Sequence, residues 1–251
     1  MDQKARATGF AALHERSGQP LVLTNVWDAG SAKAVTEAGA EAIATSSWAI
    51  AASLGHADGE LLTFDTLAVT VRQITATASA PVTVDFERGY AESSALAADN
   101  LDRLLEAGIV GINVEDGLPG TTACRPSADQ SQRIAALRSR AEQRGIPLFI
   151  NARTDLFLNS DSAAHPGFIA EAKDRARDYK AAGASGLFVP GLLDPELIAD
   201  ICGAVGLPVN IMVTDLQASL TPFAQSGVRR ISRGPAPYLA AMSHLGRIAQ
   251  T

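Results

Sequence analysis

Eight short apolar segments recur along the chain, separated by longer segments with the periodicity of helices that often end in Ala-Gly. Short buried strands that alternate with helices are typical of parallel strands joined by crossover helices. Eight such units in 251 residues match the size of a (β/α)8 TIM barrel, so we predict one barrel domain over residues 1–251. The predicted strands are 21–26, 42–47, a third around Val84, 110–115, 148–153, 186–189, 209–212 and 229–232.

Helices are predicted between most of these strands, and a long loop is predicted from the second strand to residue 63. The helical segments are 3–17, an alanine-rich segment ending at 38–39, 64–78, 94–107, 130–144, 168–182, 195–204 and a last helix from about 237. A doubly wound open sheet is the main alternative. It often carries a glycine-rich nucleotide-binding turn, but no G-x-G-x-x-G follows the first strand and no G-x-x-x-x-G-K-[ST] occurs in the sequence.

The composition excludes several classes of partner. The net charge is −6 without a basic stripe, which argues against nucleic acid and an anionic membrane surface. No apolar run reaches membrane-spanning length, and the polar start of the chain does not resemble a signal peptide. Two cysteines form neither a disulfide framework nor a zinc cluster. These features together predict a cytoplasmic enzyme with a small-molecule substrate.

The third strand ends in acidic residues, in the stretch VDFERGY at 84–90. Side chains alternate along a strand, so Asp85 and Glu87 are expected on the same side. Two neighbouring carboxylates require a cation or a proton, and Mg²⁺ suits them because it prefers oxygen ligands and retains several waters. The alternative is that Asp85 caps the next helix and Glu87 pairs with Arg88.

Polar residues also follow the other predicted strands, and in a barrel these strand ends meet at the mouth where the chemistry lies. We interpret the acids as a metal site and Arg153 as a clamp for a substrate carboxylate, because its guanidinium matches two oxygens. The alternative is a charge network in which Arg153 neutralises the acids directly. The strand-end residues are Thr45, Ser46, Ser47, Asp85, Glu87, Glu115, Asp116, Asn151, Arg153, Asp155, Asn210 and Arg233, and the loop after the second strand adds His56 and Asp58.

Six motifs, taken in their order and spacing, resemble the phosphoenolpyruvate mutase/isocitrate lyase superfamily. They are TSS at 45–47, LGHAD at 54–58, VDFERGY at 84–90, NVED at 113–116, NARTD at 151–155 and RIS at 230–232. The resemblance extends over residues 21–232. It implies a (β/α)8 barrel, a Mg²⁺ or Mn²⁺ ion, and substrates that are 2-oxo acids or that pass through a pyruvate enolate.

The resemblance also implies roles for individual residues. Asp85 corresponds to the direct metal ligand, and Glu87 and Glu115 to residues that hold the waters of the metal. Arg153 corresponds to the carboxylate clamp and Asp58 to the acid of the mobile loop after the second strand. Ser46 and the backbone of Ser47 correspond to donors to the substrate carboxylate or enolate oxygen. Asn210 is assigned to substrate binding, with a structural role in the barrel interior as its alternative.

The loop after the fourth strand differs from the motifs of the named activities. It reads GLPGTTACRP at 117–126 and lacks both the Lys-x-Cys-Gly-His motif of the lyases and the lysine of the mutases. Its glycines predict a mobile lid. We expect the hydroxyls of Thr121 and Thr122 to contact the substrate, and Cys124 to take no part in the reaction.

Three functions stay open at this point. The first is a Mg²⁺-dependent lyase that cleaves a C–C bond of an oxaloacetate-like or substituted malate-like acid. The second is phosphonomutase or phosphonopyruvate-hydrolysing chemistry, with Asp58 and Thr121 or Thr122 near the phosphonyl group. The third is a non-catalytic barrel that binds 2-oxo acids.

The last helix predicts a homo-oligomer. The superfamily forms dimers and tetramers by exchanging a C-terminal helix, and here that helix carries an apolar stripe that requires burial. The stripe consists of Tyr238, Leu239, Met242, Leu245 and Ile248. We therefore expect a homodimer or homotetramer.

Overall fold

The computed structural model describes residues 2–16, 18–158 and 160–250, which contain a closed barrel of eight parallel strands. Each strand pairs with the next in sequence, and β8 pairs with β1 to close the barrel. The predicted (β/α)8 barrel is confirmed. The strands are β1 (Leu21–Val26), β2 (Ile43–Thr45), β3 (Val82–Asp85), β4 (Gly111–Glu115), β5 (Phe149–Arg153), β6 (Gly186–Phe188), β7 (Val209–Met212) and β8 (Arg230–Ser232).

The helices surround the barrel and pack against its outer face. Buried aliphatic and aromatic side chains fill the space between the two layers. The helices are α1 (Gln3–Leu13), α2 (Ala29–Glu37), α3 (Ser47–Ser53), α4 (Phe64–Thr77), α5 (Ser94–Glu106), α6 (Ser127–Gln143), α7 (His165–Ala181), α8 (Pro195–Val205), α9 (Thr221–Gln225) and α10 (Ala236–Ile248).

Helix α3 lies where the sequence predicted a loop, and β2 is shorter than predicted. The reason is Ser46, whose backbone is extended while its hydroxyl accepts a hydrogen bond from the backbone N–H of Ala49. A serine in this position stabilises the start of a helix, so the chain leaves the strand at Thr45. Helix α9 was also missed. Helix α1 ends at Leu13, earlier than predicted, and residue 17 lies outside the described residues.

Helix α1 packs across the starts of the strands and fills the bottom of the barrel. Its Phe10 belongs to a second apolar cluster that includes residues of β1, β2 and β5 and Val110, which directly precedes β4. Gly111 at the start of β4 makes room for this ring, because a Cβ atom there would lie 3.0 Å from Phe10 and 2.8 Å from Thr83 Oγ1. The end of the barrel opposite the strand carboxyl ends is thereby closed.

Helix α10 exposes most of its apolar stripe. Tyr238 packs edge-on against Trp27 and Trp48 of its own barrel, whereas Leu239 and Leu245 are 49% and 59% exposed. Exchange of this helix between subunits, and the homo-oligomer itself, stay predictions. In the described part of the chain, none of the helices combines the length and apolar character needed to span a membrane.

His14 is a buried histidine directly after α1. Its ring stacks on Phe149 with centroids 4.0 Å apart, and its Nδ1 lies 2.9 Å from the carbonyl oxygen of Phe10. The carbonyl can only accept, so Nδ1 carries the proton, and Nε2 is buried without a partner. Burial, together with the positive charge of Arg230, lowers the pKa of His14 to about 3.

We expect His14 to make the fold sensitive to acid. The unfolded chain binds a proton at this histidine below about pH 6.5, whereas the folded chain excludes that proton until about pH 3. The free energy of unfolding should therefore fall, by up to about 1.4 kcal/mol per pH unit, as the pH drops through this window. Urea unfolding at about pH 7 and about pH 5 measures this loss in the free energy of unfolding for the wild type and for His14→Gln. An equal loss of stability in both proteins would show that another group is responsible.

Candidate active site at the barrel mouth

The carboxyl ends of the strands surround a cavity of about 220 Å³. It brings together five residues that the sequence predicted for the site, which are Ser46, Ser47, Asp58, Asp85 and Arg153. The remaining lining residues are Asn25, Trp48, Asn113, Leu158, Phe188, Pro190, Met212, Ser232, Gly234 and Pro235. The cavity wall thus combines three charged side chains with several apolar ones.

Asp85 is the last residue of β3 and presents one free carboxylate oxygen. Its backbone N–H donates to Thr45 Oγ1 at 2.9 Å. Its Oδ2 accepts hydrogen bonds from Ser47 Oγ at 2.9 Å and from Ser47 N at 3.3 Å. Its Oδ1 is buried without a hydrogen-bond partner. One oxygen is therefore fixed in place, and the other is available to a cation in the cavity.

Glu87 does not continue the strand, so the prediction that it lies on the same strand face as Asp85 is wrong. Its φ is 47° and that of Tyr90 is 52°, both in the left-handed region. The Tyr90 hydroxyl donates to Glu87 Oε1 at 2.6 Å. Burial raises the pKa of Glu87 to about 7, with the charges of Asp58 and Asp85 adding to the shift and the Tyr90 hydrogen bond opposing it.

Arg153 and Arg88 together neutralise the buried carboxylate of Glu115. Arg88 Nη1 lies 3.0 Å from Glu115 Oε1, and Arg153 Nη1 lies 2.7 Å from Glu115 Oε2. Arg88 therefore pairs with Glu115 rather than with Glu87. Burial raises the pKa of Glu115, whereas Arg153 opposes that rise. Glu115 can reach a metal-bound water only through lone pairs that these contacts leave free.

Arg153 also forms a bidentate pair with Asp155, through Nε to Oδ1 at 2.5 Å and Nη2 to Oδ2 at 3.1 Å. Burial alone disfavours its charge, but the carboxylates of Glu115 and Asp155 raise the pKa of Arg153. The alternative, in which Arg153 neutralises the acids directly, therefore applies to Glu115 and Asp155. Three of the five guanidinium N–H groups serve these contacts, which leaves two for a substrate carboxylate.

Asp155 is held by a network that reaches α7. Its backbone N–H donates to Asp116 Oδ1 at 3.0 Å, and Asp116 Oδ2 accepts from the Tyr179 hydroxyl at 2.6 Å and from Arg175 Nη1 at 3.1 Å. Gly117 is required beside it, because a Cβ atom there would clash with Asp155 Oδ2. No sequence motif indicated Tyr179 or Arg175, because both lie on a helix far from the motifs.

Asp58 lies exposed at the rim of the cavity, in the loop between α3 and α4. Neighbouring protein atoms displace part of the water around its carboxylate. This partial burial, together with the charge of Asp85, raises the pKa of Asp58, and an interaction with Ser47 opposes the shift. Asp58 therefore holds its proton more tightly than an ordinary aspartic acid.

The loop after β4 lies beside the cavity and not inside it. Thr121 lines an adjacent open groove of about 390 Å³, and its hydroxyl donates to the carbonyl of Leu118 at 3.2 Å. Thr122 is exposed and lines neither space. Cys124 faces Asp116, and burial together with that carboxylate raises the pKa of the Cys124 thiol to about 12.

A polar layer fills the barrel interior beneath the cavity. Arg230 is fully buried, and its Nη2 donates to Asn113 Oδ1 at 3.2 Å. Asn151 Nδ2 donates to the same oxygen at 2.9 Å. Burial lowers the pKa of Arg230 to about 9, and the charge of Asp85 opposes this. Asn210 is buried in this layer and does not line the cavity, and its side-chain oxygen and nitrogen have no hydrogen-bond partner. Its side chain therefore does not satisfy backbone groups, as the structural alternative required, and its role in substrate binding stays a prediction.

The acids fit a divalent ion that keeps most of its water. Among the described residues, no group of three or more His, Cys, Asp or Glu side chains could enclose a metal ion. Asp85 Oδ1 is the buried carboxylate oxygen without a partner at the cavity. A single protein carboxylate completed by waters and substrate oxygens is typical of Mg²⁺. We therefore retain Asp85 as the candidate direct ligand, with Glu87 and Glu115 as candidate outer residues.

Comparison with known proteins identifies the family. The family model for phosphoenolpyruvate phosphomutase matches residues 10–251. The chain therefore belongs to the phosphoenolpyruvate mutase/isocitrate lyase superfamily, a group of lyases and mutases, as the sequence motifs indicated. Members of this superfamily generally use a divalent metal.

Three similar proteins cover most of the chain. The structure of a candidate phosphonomutase from Burkholderia cenocepacia is 42% identical, with a TM-score of 0.95 over 99% of this chain and 98% of that one. An uncharacterized protein of Mycobacterium tuberculosis is 33% identical over 93% of this chain and 84% of its own length. The 2-methylisocitrate lyase of Escherichia coli is 28% identical over 80% of this chain and 67% of its own length.

We expect Asp85→Asn to weaken Mg²⁺ binding by more than about a hundredfold, and Glu87→Gln by only about tenfold. The first change removes a charge from the unpartnered oxygen in the cavity, whereas the second affects an oxygen that already accepts from Tyr90. Calorimetric titration with Mg²⁺ measures both affinities. Equal affinities in the two variants would contradict the assignment of Asp85 as the direct ligand.

Proposed function

We propose that the protein is a Mg²⁺-dependent or Mn²⁺-dependent lyase that cleaves a C–C bond of a small 2-oxo or 2-hydroxy acid. The observation that supports this most directly is the pairing pattern of the mouth carboxylates. Arginines neutralise Glu115 and Asp155, whereas Asp85 keeps a free oxygen in the cavity. Such an arrangement suits a bound cation next to a carboxylate clamp.

The walls of the cavity favour a small substrate with an apolar part. Arg153 is the only positively charged group among the described residues that line the cavity, and two acids already share its charge. A phosphonate substrate adds two or more negative charges that this wall does not match. An alkyl substituent suits the apolar lining residues, which are Trp48, Leu158, Phe188, Pro190, Met212 and Pro235.

Each charged residue of the cavity has its own role in the proposed reaction. Arg153 orients the substrate carboxylate, and Ser47 keeps Asp85 aimed into the cavity. A divalent ion at Asp85 would supply Lewis-acid polarisation of the 2-oxo or 2-hydroxyl oxygen. In a 2-oxo acid such as oxaloacetate, the bond to the second carboxylate breaks, CO2 leaves, and the electron pair forms an enolate that takes a proton at carbon. In a 2-hydroxy acid, Asp58 first takes the hydroxyl proton, the hydroxyl carbon becomes the 2-oxo group, and the electron pair forms the enolate of the departing acid, which takes that proton at carbon. Asp58 is the proposed proton carrier, because its raised pKa keeps the proton bound at higher pH.

Phosphonomutase or phosphonopyruvate hydrolase chemistry is the second candidate. The observation in its favour is the similarity of this chain to the candidate phosphonomutase over nearly its whole length. The similarity to 2-methylisocitrate lyase supports the first candidate. A non-catalytic barrel that binds 2-oxo acids is the third, and it is distinguished by the absence of turnover.

A substrate panel in the presence of Mg²⁺ tests the proposal. The panel contains oxaloacetate, an alkyl-substituted malate, 2-methylisocitrate, phosphonopyruvate and phosphoenolpyruvate. We expect pyruvate from at least one of the first three, abolished by a chelator and reduced at least about a thousandfold in Asp85→Asn. Conversion of only the phosphorus-containing acids would establish the second candidate. Binding without any turnover would establish the third.

Cys124→Ser should retain turnover within about tenfold of the wild type, a barrier change of about 1.4 kcal/mol. The reason is that the thiol faces Asp116 and does not line the cavity. The measurement uses the panel substrate with the highest rate, and Mg²⁺ titration confirms an intact site. A loss of a thousandfold or more with normal metal affinity would identify Cys124 as the acid and contradict the role given to Asp58.

A further inference from the structure

The loop at residues 54–63, which we call the Asp58 loop, has few apolar anchors of its own. Leu54 and Leu61 are 48% and 65% exposed, whereas Leu62 is buried. The loop nevertheless places Asp58 against the cavity. Some other interaction must therefore hold it there.

Glu60 makes the contacts that tie this loop to the chain after β3. Its Oε1 accepts two backbone hydrogen bonds, from Arg88 N at 2.9 Å and from Tyr90 N at 2.7 Å. Its Oε2 lies 3.2 Å from Arg88 Nη2. Both oxygens of one carboxylate thus bind the segment that carries Glu87.

Arg88 continues the connection in both directions. Its Nη2 donates to the carbonyl oxygen of Gly59 at 2.9 Å, and its Nη1 pairs with Glu115. The Arg88 and Glu60 side chains are only 9% and 18% exposed, so water screens their attraction far less than in a surface pair. One guanidinium group therefore joins the Asp58 loop to the buried acid at the end of β4.

The backbone at this junction is strained. Glu60, Glu87 and Tyr90 are the described non-glycine residues with positive φ, at 63°, 47° and 52°. Side chains with a Cβ atom disfavour this region, and such conformations persist only where surrounding contacts impose them. All three residues belong to the contact set of Glu60 or to the turn that it binds.

We propose that Glu60 and Arg88 are positioning residues that hold the Asp58 loop, and with it Asp58, against the cavity. We call this contact set the Glu60 clasp. Because Arg88 also binds Glu115, the clasp links the loop position to the charge network of the site. Its catalytic consequence rests on the proposed function, whereas its effect on loop position does not.

The Arg88 and Tyr90 amides report directly on the clasp, because they donate to Glu60. In Glu60→Ala we expect their hydrogen exchange to accelerate at least about tenfold, and cleavage within residues 54–62 by a broad-specificity protease to accelerate by a similar factor. Glu60→Gln keeps an oxygen acceptor for both amides but loses the ion pair, so it should fall between Glu60→Ala and the wild type.

Glu41→Ala is the matched control. Glu41 also pairs with an arginine, Arg16, at 2.8 Å, but on the exposed surface and away from the mouth. We expect it to leave exchange and cleavage in both segments unchanged. The melting temperature of each variant separates a local change from general destabilisation. If Glu60→Ala does not fold, Glu60→Gln and Arg88→Met provide the same comparison.

Rates of hydrogen exchange and loop cleavage within about twofold of the wild type in both Glu60→Ala and Arg88→Met would overturn the proposal.

The clasp also has an expected effect on catalysis. For any panel substrate that the wild type converts, Glu60→Ala should lower kcat at least about tenfold with unchanged Mg²⁺ affinity. In Glu60→Gln, kcat should lie between those of Glu60→Ala and the wild type. If kcat is unchanged while the loop opens, Asp58 is not the proton carrier, and the positional inference still holds. If the wild type converts nothing, exchange and cleavage alone decide it.

Discussion

The crowding of carboxylates at one end of the barrel is the constraint on which the site depends. Asp58, Asp85, Glu87, Glu115 and Asp155 interact electrostatically there, and burial makes their mutual repulsion more costly than it would be in water. Arg153 lies between Glu115 and Asp155, and Arg88 lies between Glu115 and Glu60. The two guanidinium groups therefore pair with Glu60, Glu115 and Asp155, whereas Asp58, Asp85 and Glu87 have no ion pair among the described residues. Of these three, Asp85 has a buried carboxylate oxygen without any hydrogen-bond partner, which suits it to bind a cation.

The scaffold fixes that distribution of charge from several sides. Asp116 connects Asp155 to Tyr179 on α7, so the orientation of Arg153 depends on a helix outside the barrel. From below, the buried Arg230 donates to Asn113 and adds positive charge beneath Asp85. Removing one partner of a buried ion pair leaves the other charge buried without a counter-charge or water, which is costly. Each residue of this network therefore restricts the position of its neighbours. Within this network Ser47 fixes one oxygen of Asp85, and the other oxygen stays without a hydrogen-bond partner.

The fold and the residues of the mouth could be predicted from the sequence, whereas their pairing could not. Alternating strands and helices determine the barrel, and the barrel places Asp85 and Arg153 at one end whatever their contacts. Strand periodicity failed at Glu87, because the chain enters the left-handed region after Asp85 and periodicity carries no information about where a strand ends. The pairing of Glu115 with Arg88 depends on distances in the folded chain, which the sequence does not give. The helix cap at Ser46 could not be recognised, because a serine is equally compatible with the end of a strand. Glu60 had no motif to indicate its role.

For the proposed chemistry, the identity of the proton carrier follows from which titratable groups reach the cavity. Among the described lining residues these are Asp58, Asp85 and Arg153. Arg153 is excluded because its two acidic partners raise its pKa, which makes loss of a proton unfavourable. Asp85 is better suited to a cation, since a ligand that carries a proton loses the charge that binds the metal. Cys124, the acid that the lyase motif would suggest, faces Asp116. Asp58 is left, and because it lies on a loop, the protein can deliver the proton only while that loop is held against the barrel.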